Sequence, residues 1–425
     1  VKTLILTNYF PPEIGAASHL FYELAETLVG LGDKVTVVTG FPRYNVKELP
    51  EKYRGKLFFR EQMNGIEVVR LLIPSLPRGI PMVRGLEHLL VGLMLFLGGL
   101  VVRRHHVTLV YSPPLTIGLS AWLLGTVKRT PFIFNVQDIF PQYAIDAGIL
   151  KSRTLIRFFQ RMEKFIYRKA RYVTVHSDGN RQHLLAKGVP ADKIVVVHNW
   201  VDTDFITPRD KHNSFHRENK LNGKFIVSFA GTMGFVQDID TIIEAAHILM
   251  PHQQILFLLV GDGVQREAME KKARRLGLTN VKFLPLQPRT EYPAVLNASD
   301  VGLVALIKEV STPVVPSKLL SIMASGRPAV ASLPLSGDAP KIVEAAECGY
   351  CVEPGNPQAL AQAILDLYKN PALREQLGSN GRHYAEQNFS KQACARQYEA
   401  LFQKAGGFER SSRLSPTGVK HEEGP

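Results

Sequence analysis

Cysteine is scarce: Cys348, Cys351 and Cys394 are the only three in 425 residues. So few thiols exclude a disulfide framework and fit a reducing compartment. Cys348 and Cys351 have the spacing of a redox pair, but no second pair completes a zinc site, and the motif falls in a strand pattern rather than at a helix start. Membrane-spanning runs are missing as well. LLVGLMLFLGGLVV (89–102) has no charge, yet its 14 residues would reach only about 21 Å as a helix, short of the roughly 30 Å hydrocarbon layer. The opening apolar run ends at Asn8, too soon for a secretory leader, so a cytoplasmic chain is expected. No Gly-x-x-x-x-Gly-Lys-Ser/Thr, His-Glu-x-x-His or nucleophile elbow occurs. Gly261-Asp262-Gly263 lacks the third glycine of a dinucleotide fingerprint, and the region about twenty residues on, NVKFLPL, offers no ribose-binding acid. A dinucleotide dehydrogenase is therefore disfavoured.

What is present is a globular composition, 45% hydrophobic and 21% charged, in a chain long enough for two or three domains. The charge is lopsided. Residues 1–200 hold 26 Lys and Arg against 14 Asp and Glu, so this half carries +12 of the net +13. That half is expected to face anions: nucleic acid, anionic lipid or phosphorylated substrates.

Strand-like apolar runs alternate with helical patterns throughout, which predicts parallel sheets with right-handed crossovers. The first set runs from TLILT (3–7) to IVVVHN (194–199), and the second from FIVSFAG (225–231) to CGYCVEP (348–354). Between them, TDFITPRDKHNSFHRENKLNGK (203–224) is polar and reads as the linker. The expected architecture is two doubly wound α/β domains, residues 1–200 and 225–388, with ligands at the carboxyl ends of their strands. A helix from Lys391 to about Lys404 is expected to return to the first domain, and the aperiodic segment 405–425 to be a disordered tail.

Two segments of the first half suggest a membrane surface. Leu89, Leu93 and Phe96 stand in the uncharged stretch, which is either a buried helix on the sheet or one that enters a single leaflet. Arg153, Arg157, Arg161, Lys164 and Arg168 recur at helical spacing in SRTLIRFFQRMEKFIYRKAR (152–171), opposite a face of apolar residues. The basic face reads equally as solvated surface. Nucleic-acid binding is not expected, because the basic helix carries no aromatic platform of a known module. Asp202-x-Asp204 and Asp238-x-Asp240 have the spacing of a metal-binding acid pair. The second reads better as first-turn or capping acids, and no metal site is expected.

The ordered series SFAGTMGFVQDIDTIIEAAHIL, FLLVGDGVQREAME, NVKFLPLQPRTEYPAVLNASDVGLVAL and VPSKLLSIMASGRPAVASLPLSGDAPKIVEAAECGYCVEPGNPQALAQAI resembles the donor half of the retaining group 1 glycosyltransferases. In the first half, NYFPPEIGAASHLFYELAETLVGLGDKVTVVTGFPRY, NVQDIFPQ and VVHNWVD resemble the branch that builds bacterial O-antigen, colanic acid and capsule. The resemblance spans residues 1 to about 404. It implies a GT-B fold, two Rossmann-like domains facing across a cleft. It further implies transfer of a hexose or N-acetylhexosamine, with retention, from a nucleotide-sugar, expected to be a UDP-sugar. The acceptor would be a saccharide on polyprenyl pyrophosphate at the cytoplasmic face of the inner membrane. The nucleotide-sugar is a substrate, and no cofactor is expected.

By the same resemblance Gly15, His19, Gly231, Gly234, Gly261, Asp262, Ser317, Arg327 and Glu344 would bind the donor. Lys318 would neutralise the leaving diphosphate, and Asp138 would orient the acceptor hydroxyl or stabilise the cationic sugar. The sequence also departs from the family. Two glutamates that many members keep are replaced by Pro313 and Ser321, and an Arg/Lys pair by Thr232 and Gln237. A nucleotide-sugar 2-epimerase of the same fold and a non-catalytic pathway scaffold remain as alternatives.

Overall fold

The computed structural model describes residues 1–13, 16–43, 46, 48–74, 81–146, 150–310 and 315–408. The first part of the chain runs β1 (Lys2–Leu6), α1 (Ala16–Gly30), β2 (Lys34–Gly40), β3 (Phe58–Met63), β4 (Ile66–Leu71), α2 (Pro81–Val101) and β5 (Val107–Ser112). It continues with α3 (Thr116–Lys128), β6 (Phe132–Val136), α4 (Gln142–Asp146), α5 (Arg153–Lys169), β7 (Tyr172–Val175), α6 (Asp178–Ala186) and β8 (Ile194–Val196). Its eight strands form one sheet in the order β3-β4-β2-β1-β5-β6-β7-β8. All neighbours are parallel except the hairpin β3–β4, whose turn is Asn64-Gly65, both at positive φ. Strands β5 and β6 are buried along their whole length, as a sheet covered on both faces requires. One face packs α2, α3, α5 and α6. The other packs α1 and the last helix of the chain.

The second part runs α7 (Ser214–Glu218), β9 (Phe225–Ala230), α8 (Ile239–Ile248), β10 (Ile255–Val260), α9 (Arg266–Arg275), β11 (Val281–Leu284), α10 (Tyr292–Asn297) and β12 (Val301–Ala305). Then come α11 (Ser317–Ala324), β13 (Ala329–Ser332), α12 (Asp338–Ala345), β14 (Gly349–Val352), α13 (Pro357–Lys369), α14 (Pro371–Asn388) and α15 (Lys391–Gly406). Six parallel strands make the second sheet in the order β11-β10-β9-β12-β13-β14. Chain order reverses between β1 and β5 in one sheet and between β9 and β12 in the other. Crevices open at the carboxyl ends of such strands.

The chain crosses between the sheets twice. On the way out, Val201 N donates to Phe389 O at 2.8 Å, and Val201 bridges Ser390. On the way back, Lys391 pairs with Asp202 at 2.9 Å, and α15 buries Cys394, Tyr398, Leu401 and Phe402 in the first core. The polar stretch expected as a linker is only partly one. Phe215 and Leu221 are buried with Ile226 and Leu258 in the second domain, so two apolar anchors fold the latter half of 203–224 onto that sheet. The tail beyond residue 408 lies outside the described residues, whereas Ala405 and Gly406 still belong to α15.

The apolar stretch 89–102 belongs to a longer helix that begins at Pro81. Val91 and Leu95 face the core, while Leu86, Leu89, Leu93, Leu97 and Leu100 are 38–54% exposed. Their spacing of three or four residues makes a continuous outer stripe. Phe96, expected with the membrane residues, packs partly against the core instead. No described helix is long and apolar enough to cross a membrane.

Candidate active site

The cleft edge of the second sheet is built from the loops that leave β9, β10 and β11 and from the start of α11. Together they line a cavity of about 390 Å³ bounded by Gly231, Thr232, Gln287, Arg289, Tyr292, Ser317, Lys318 and Ser321, among others. Pro316 precedes α11 in extended conformation, leaving first-turn N–H groups without helical partners. Gly231 has positive φ, and a Cβ there would also come within 2.6 Å of the Lys318 stem, so glycine is required on both counts. The ammonium of Lys318 lies 5.0 Å from the centre of the Phe229 ring and meets no acid among the described residues. Burial holds it below the ordinary lysine range. An unpaired cation at a helix start, beside a bare glycine, suits a bound anion.

Gly261 and Asp262 do not line that cavity. A Cβ on Gly261 would lie 1.8 Å from Gly231 O, so this glycine lets two loops stack. Gly234 sits in the same stack, its N–H bonded to Gln237 Oε1 at 2.9 Å. Two further expected donor contacts lie elsewhere. Arg327 precedes β13 at the opposite, amino edge of the sheet and donates to Arg209 O (3.0 Å) and Asn297 O (2.7 Å). Glu344 is exposed on α12 and lies near Cys351 rather than the cavity. Both misplacements come from reading a motif without its depth in the sheet. Gly15 and Pro313 lie outside the described residues.

The acids with metal-like spacing are engaged in the fold. Asp238 caps α8, accepting from Thr241 N at 3.1 Å and Thr241 Oγ1 at 2.6 Å. Asp240 pairs with Lys272 at 2.7 Å. Asp202 accepts from Phe205 N at 3.0 Å while bridging Lys391.

Across the cleft, Asp138 follows the carboxyl end of β6. Desolvation raises its carboxyl above the ordinary value, and the neighbouring His176 draws it partly back. His176 Nε2 contacts Gln137 O at 3.0 Å, and burial keeps its imidazole below the ordinary value. Gln137 and Asn199 exchange amide hydrogen bonds of 3.1 and 2.9 Å, and Asn135 reaches Tyr398 OH on α15 at 2.8 Å. The returning helix therefore buttresses the first domain's wall of the cleft directly. His19, in the first turns of α1, is held low by burial first and by the Arg289 charge second. Hydrogen bonds that span the domains here include Arg289 to Glu23 at 2.8 Å and Gly179 N to Asp338 Oδ2 at 2.8 Å.

Residues 210–384 match the family model described as glycosyl transferases group 1, and residues 15–200 match the glycosyl transferase 4-like domain. The chain belongs to the group 1 glycosyltransferases. This glycosyltransferase is 25% identical over 413 residues, 94% of its own chain and 98% of the relative, to WcaI of Escherichia coli (strain K12), whose name assigns it to colanic acid biosynthesis. WbjE of Pseudomonas aeruginosa, named as a glycosyltransferase, is 25% identical over 70% of this chain and 74% of its own. The fold is GT-B. It superimposes on Anabaena HepE in complex with UDP at a TM-score of 0.70 and 18% identity, covering 95% of this chain and 100% of that one. The sucrose-phosphate synthase of Thermosynechococcus elongatus gives 0.71 and 18%, covering 95% and 98%. The glycosyltransferase is thus related to enzymes of cell-surface polysaccharide biosynthesis.

Reading the sequence missed Arg289, Tyr292 and Gln287 on the second domain's side of the cleft, and Glu23, His176, Gln137 and Asn199 on the first domain's side. Position alone offered a signal for Gln137 and His176, since each directly follows a strand.

Proposed function

We propose that this glycosyltransferase moves a sugar, with retention, from a nucleoside diphosphate donor to a saccharide on polyprenyl pyrophosphate at the cytoplasmic face of the inner membrane. Lys318 is the observation that carries the reading: a half-buried cation at the start of α11, packed against the Gly231 loop in the wall of an open cavity, with no acid beside it among the described residues. Departure of the nucleotide gathers negative charge on the diphosphate, and a fixed cation with free helix N–H groups stabilises that charge as it develops. Asp138 stands on the opposite side to orient the acceptor hydroxyl. A UDP donor comes first because the HepE fold relative was solved with UDP-glucose.

The acceptor half rests on the outer face of α2 and α5. The leucine stripe of α2 is joined by exposed Leu123 and Val127 on α3 and by Leu155 and Phe158 on α5. Arg153, Arg157 and Arg161 are exposed on α5, with no ion pair among the described residues. Apolar side chains beside free cations are what a leaflet with anionic head groups meets.

The test is a thermal-stabilisation screen of UDP-, GDP- and dTDP-sugars, followed by transfer to a polyprenyl-pyrophosphate saccharide with the product anomer read by NMR. Retained configuration in a lipid-linked product is expected. Release of an epimerised free sugar without acceptor, or no response to any donor, would overturn the reading.

A further inference from the structure

The described lining of the donor cavity holds two charged side chains, Lys318 and Arg289, both cationic. Lys318 stands alone, whereas Arg289 does not. Its Nη2 donates at 2.8 Å to Glu23 Oε1 on α1, across the cleft. The other oxygen of Glu23 accepts from Trp200 Nε1 at 3.0 Å, at the start of the outward crossing. The Phe205 ring lies 5.7 Å from the Arg289 guanidinium, so the stem is anchored beside the crossing while half of the side chain stays open to solvent.

We propose that Arg289 is a second ligand of the donor's diphosphate, held by Glu23 until the donor displaces that carboxylate. The inference rests on the donor reading given above. A nucleoside diphosphate brings at least two negative charges and gains more as the sugar leaves, and Lys318 matches one of them. The first donor loop adds none, because positions 232 and 237 are Thr and Gln. Arg289 is the other cation the cavity wall presents. The pair is open to solvent on its Arg289 side, and a single ion pair so screened contributes only modestly, so the carboxylate is the weaker competitor against a guanidinium fork on phosphate, which makes strong paired hydrogen bonds. The exchange therefore runs toward the donor. It also frees Glu23 at the moment the cleft is filled, one turn from His19.

Calorimetric titration of UDP, GDP and dTDP into parent, Arg289→Gln, Arg289→Lys, Glu23→Gln, Lys318→Ala and the Glu23→Gln/Arg289→Gln double variant tests it. Glu23→Gln keeps an oxygen for Trp200 and removes only the charge. We expect Arg289→Gln to weaken diphosphate binding about tenfold or more, with Arg289→Lys between it and the parent. Glu23→Gln should tighten binding by about three- to fivefold, the scale of one lost solvent-screened ion pair. In the double variant, the effect of Glu23→Gln should vanish. If Glu23→Gln weakens binding, the pair is a strap that shapes the cleft, and the exchange is refuted. Parent-like binding by Arg289→Gln alongside weakened binding by Lys318→Ala refutes this inference alone. If no diphosphate binds the parent at millimolar concentration, the donor reading falls, and the inference with it.

Discussion

Replacing Lys318 with methionine separates a working cation from a structural one. The folded protein holds this ammonium half-buried, against Gly231 and the Phe229 ring and with no acid beside it. Its pKa is below the ordinary 10.5 because burial disfavours the charged form. The sign follows from linkage. The charged state is less welcome in the folded than in the unfolded chain, so Lys318 costs stability at neutral pH, and that cost fades as pH rises toward 10.5. Methionine removes the cost, and its sulfur keeps a contact with Phe229 worth about as much as the lost cation–π pairing. The melting temperature of the donor-free variant should therefore rise, by about 2–4 °C for each kcal/mol regained in a domain of this size. Turnover should fall by about 10²- to 10³-fold, the usual loss when one preorganised electrostatic donor is removed, or roughly 2.7–4 kcal/mol of barrier. Calorimetric melting and mass-spectrometric detection of released nucleoside diphosphate measure the two effects. Near-parental turnover would refute the assignment. A lower melting temperature alongside lost turnover would also refute it, since ordinary damage to the fold would then explain both.

Other outcomes follow from features away from that lysine. Arg153, Arg157 and Arg161 changed together to Gln should weaken flotation with anionic vesicles and transfer to a lipid acceptor while sparing nucleotide binding; flotation equal to the parent would reduce the basic face to solvated surface. Changing Leu89 and Leu93 to Ser should lower vesicle binding at unchanged urea midpoint, because both are more than half exposed; a large midpoint loss would mean they serve the core. Arg70 is fully buried, bonds Glu61 at 2.5 Å and also donates to Pro11 O. Arg70→Ala should therefore cost about 3–5 kcal/mol in urea unfolding, and a loss below 1 kcal/mol would contradict that. Burial pushes His105 down to about 4, so the unfolded chain takes the proton first on acidification. Stability should fall between pH 6.5 and 4 by up to roughly 3 kcal/mol more in the parent than in His105→Gln. Equal falls in both would assign the acid sensitivity to other groups.

The alternation of apolar runs with helix-length segments was enough to expect two parallel sheets, because strands covered on both faces read as continuous Val, Ile and Leu. It did not reveal the hairpin β3–β4, although Asn64-Gly65 is a strong turn signal. The half-exposed strand FFREQM reads as polar, and Arg70, buried inside a strand, disguises its partner. Lys318 and Gly231 were legible because each sits at a strand end or helix start in a loop the sequence marks. Arg327 was misassigned since nothing local distinguishes the amino edge of a parallel sheet from the carboxyl edge; only the strand that follows it does. The Arg289–Glu23 contact was beyond local reading, because 266 residues separate its partners. Their meeting depends on how the two domains face each other.

The paired crossings between the sheets limit how the two domains can move. A single tether would let one half swivel freely about the other. Here the two passages run side by side, held by the Val201–Ser390 bridge and the Lys391–Asp202 pair, and they act as a two-pin joint. Rocking across the line of the pins remains soft, while rotation about the long axis of the molecule must shear both connections together. A joint of this kind would confine any opening of the cleft to one path and would bring the same two walls together at each closure. Cutting one passage alone, by nicking the chain after Asp204 for example, should leave the halves joined but free to swivel, losing alignment before losing the fold.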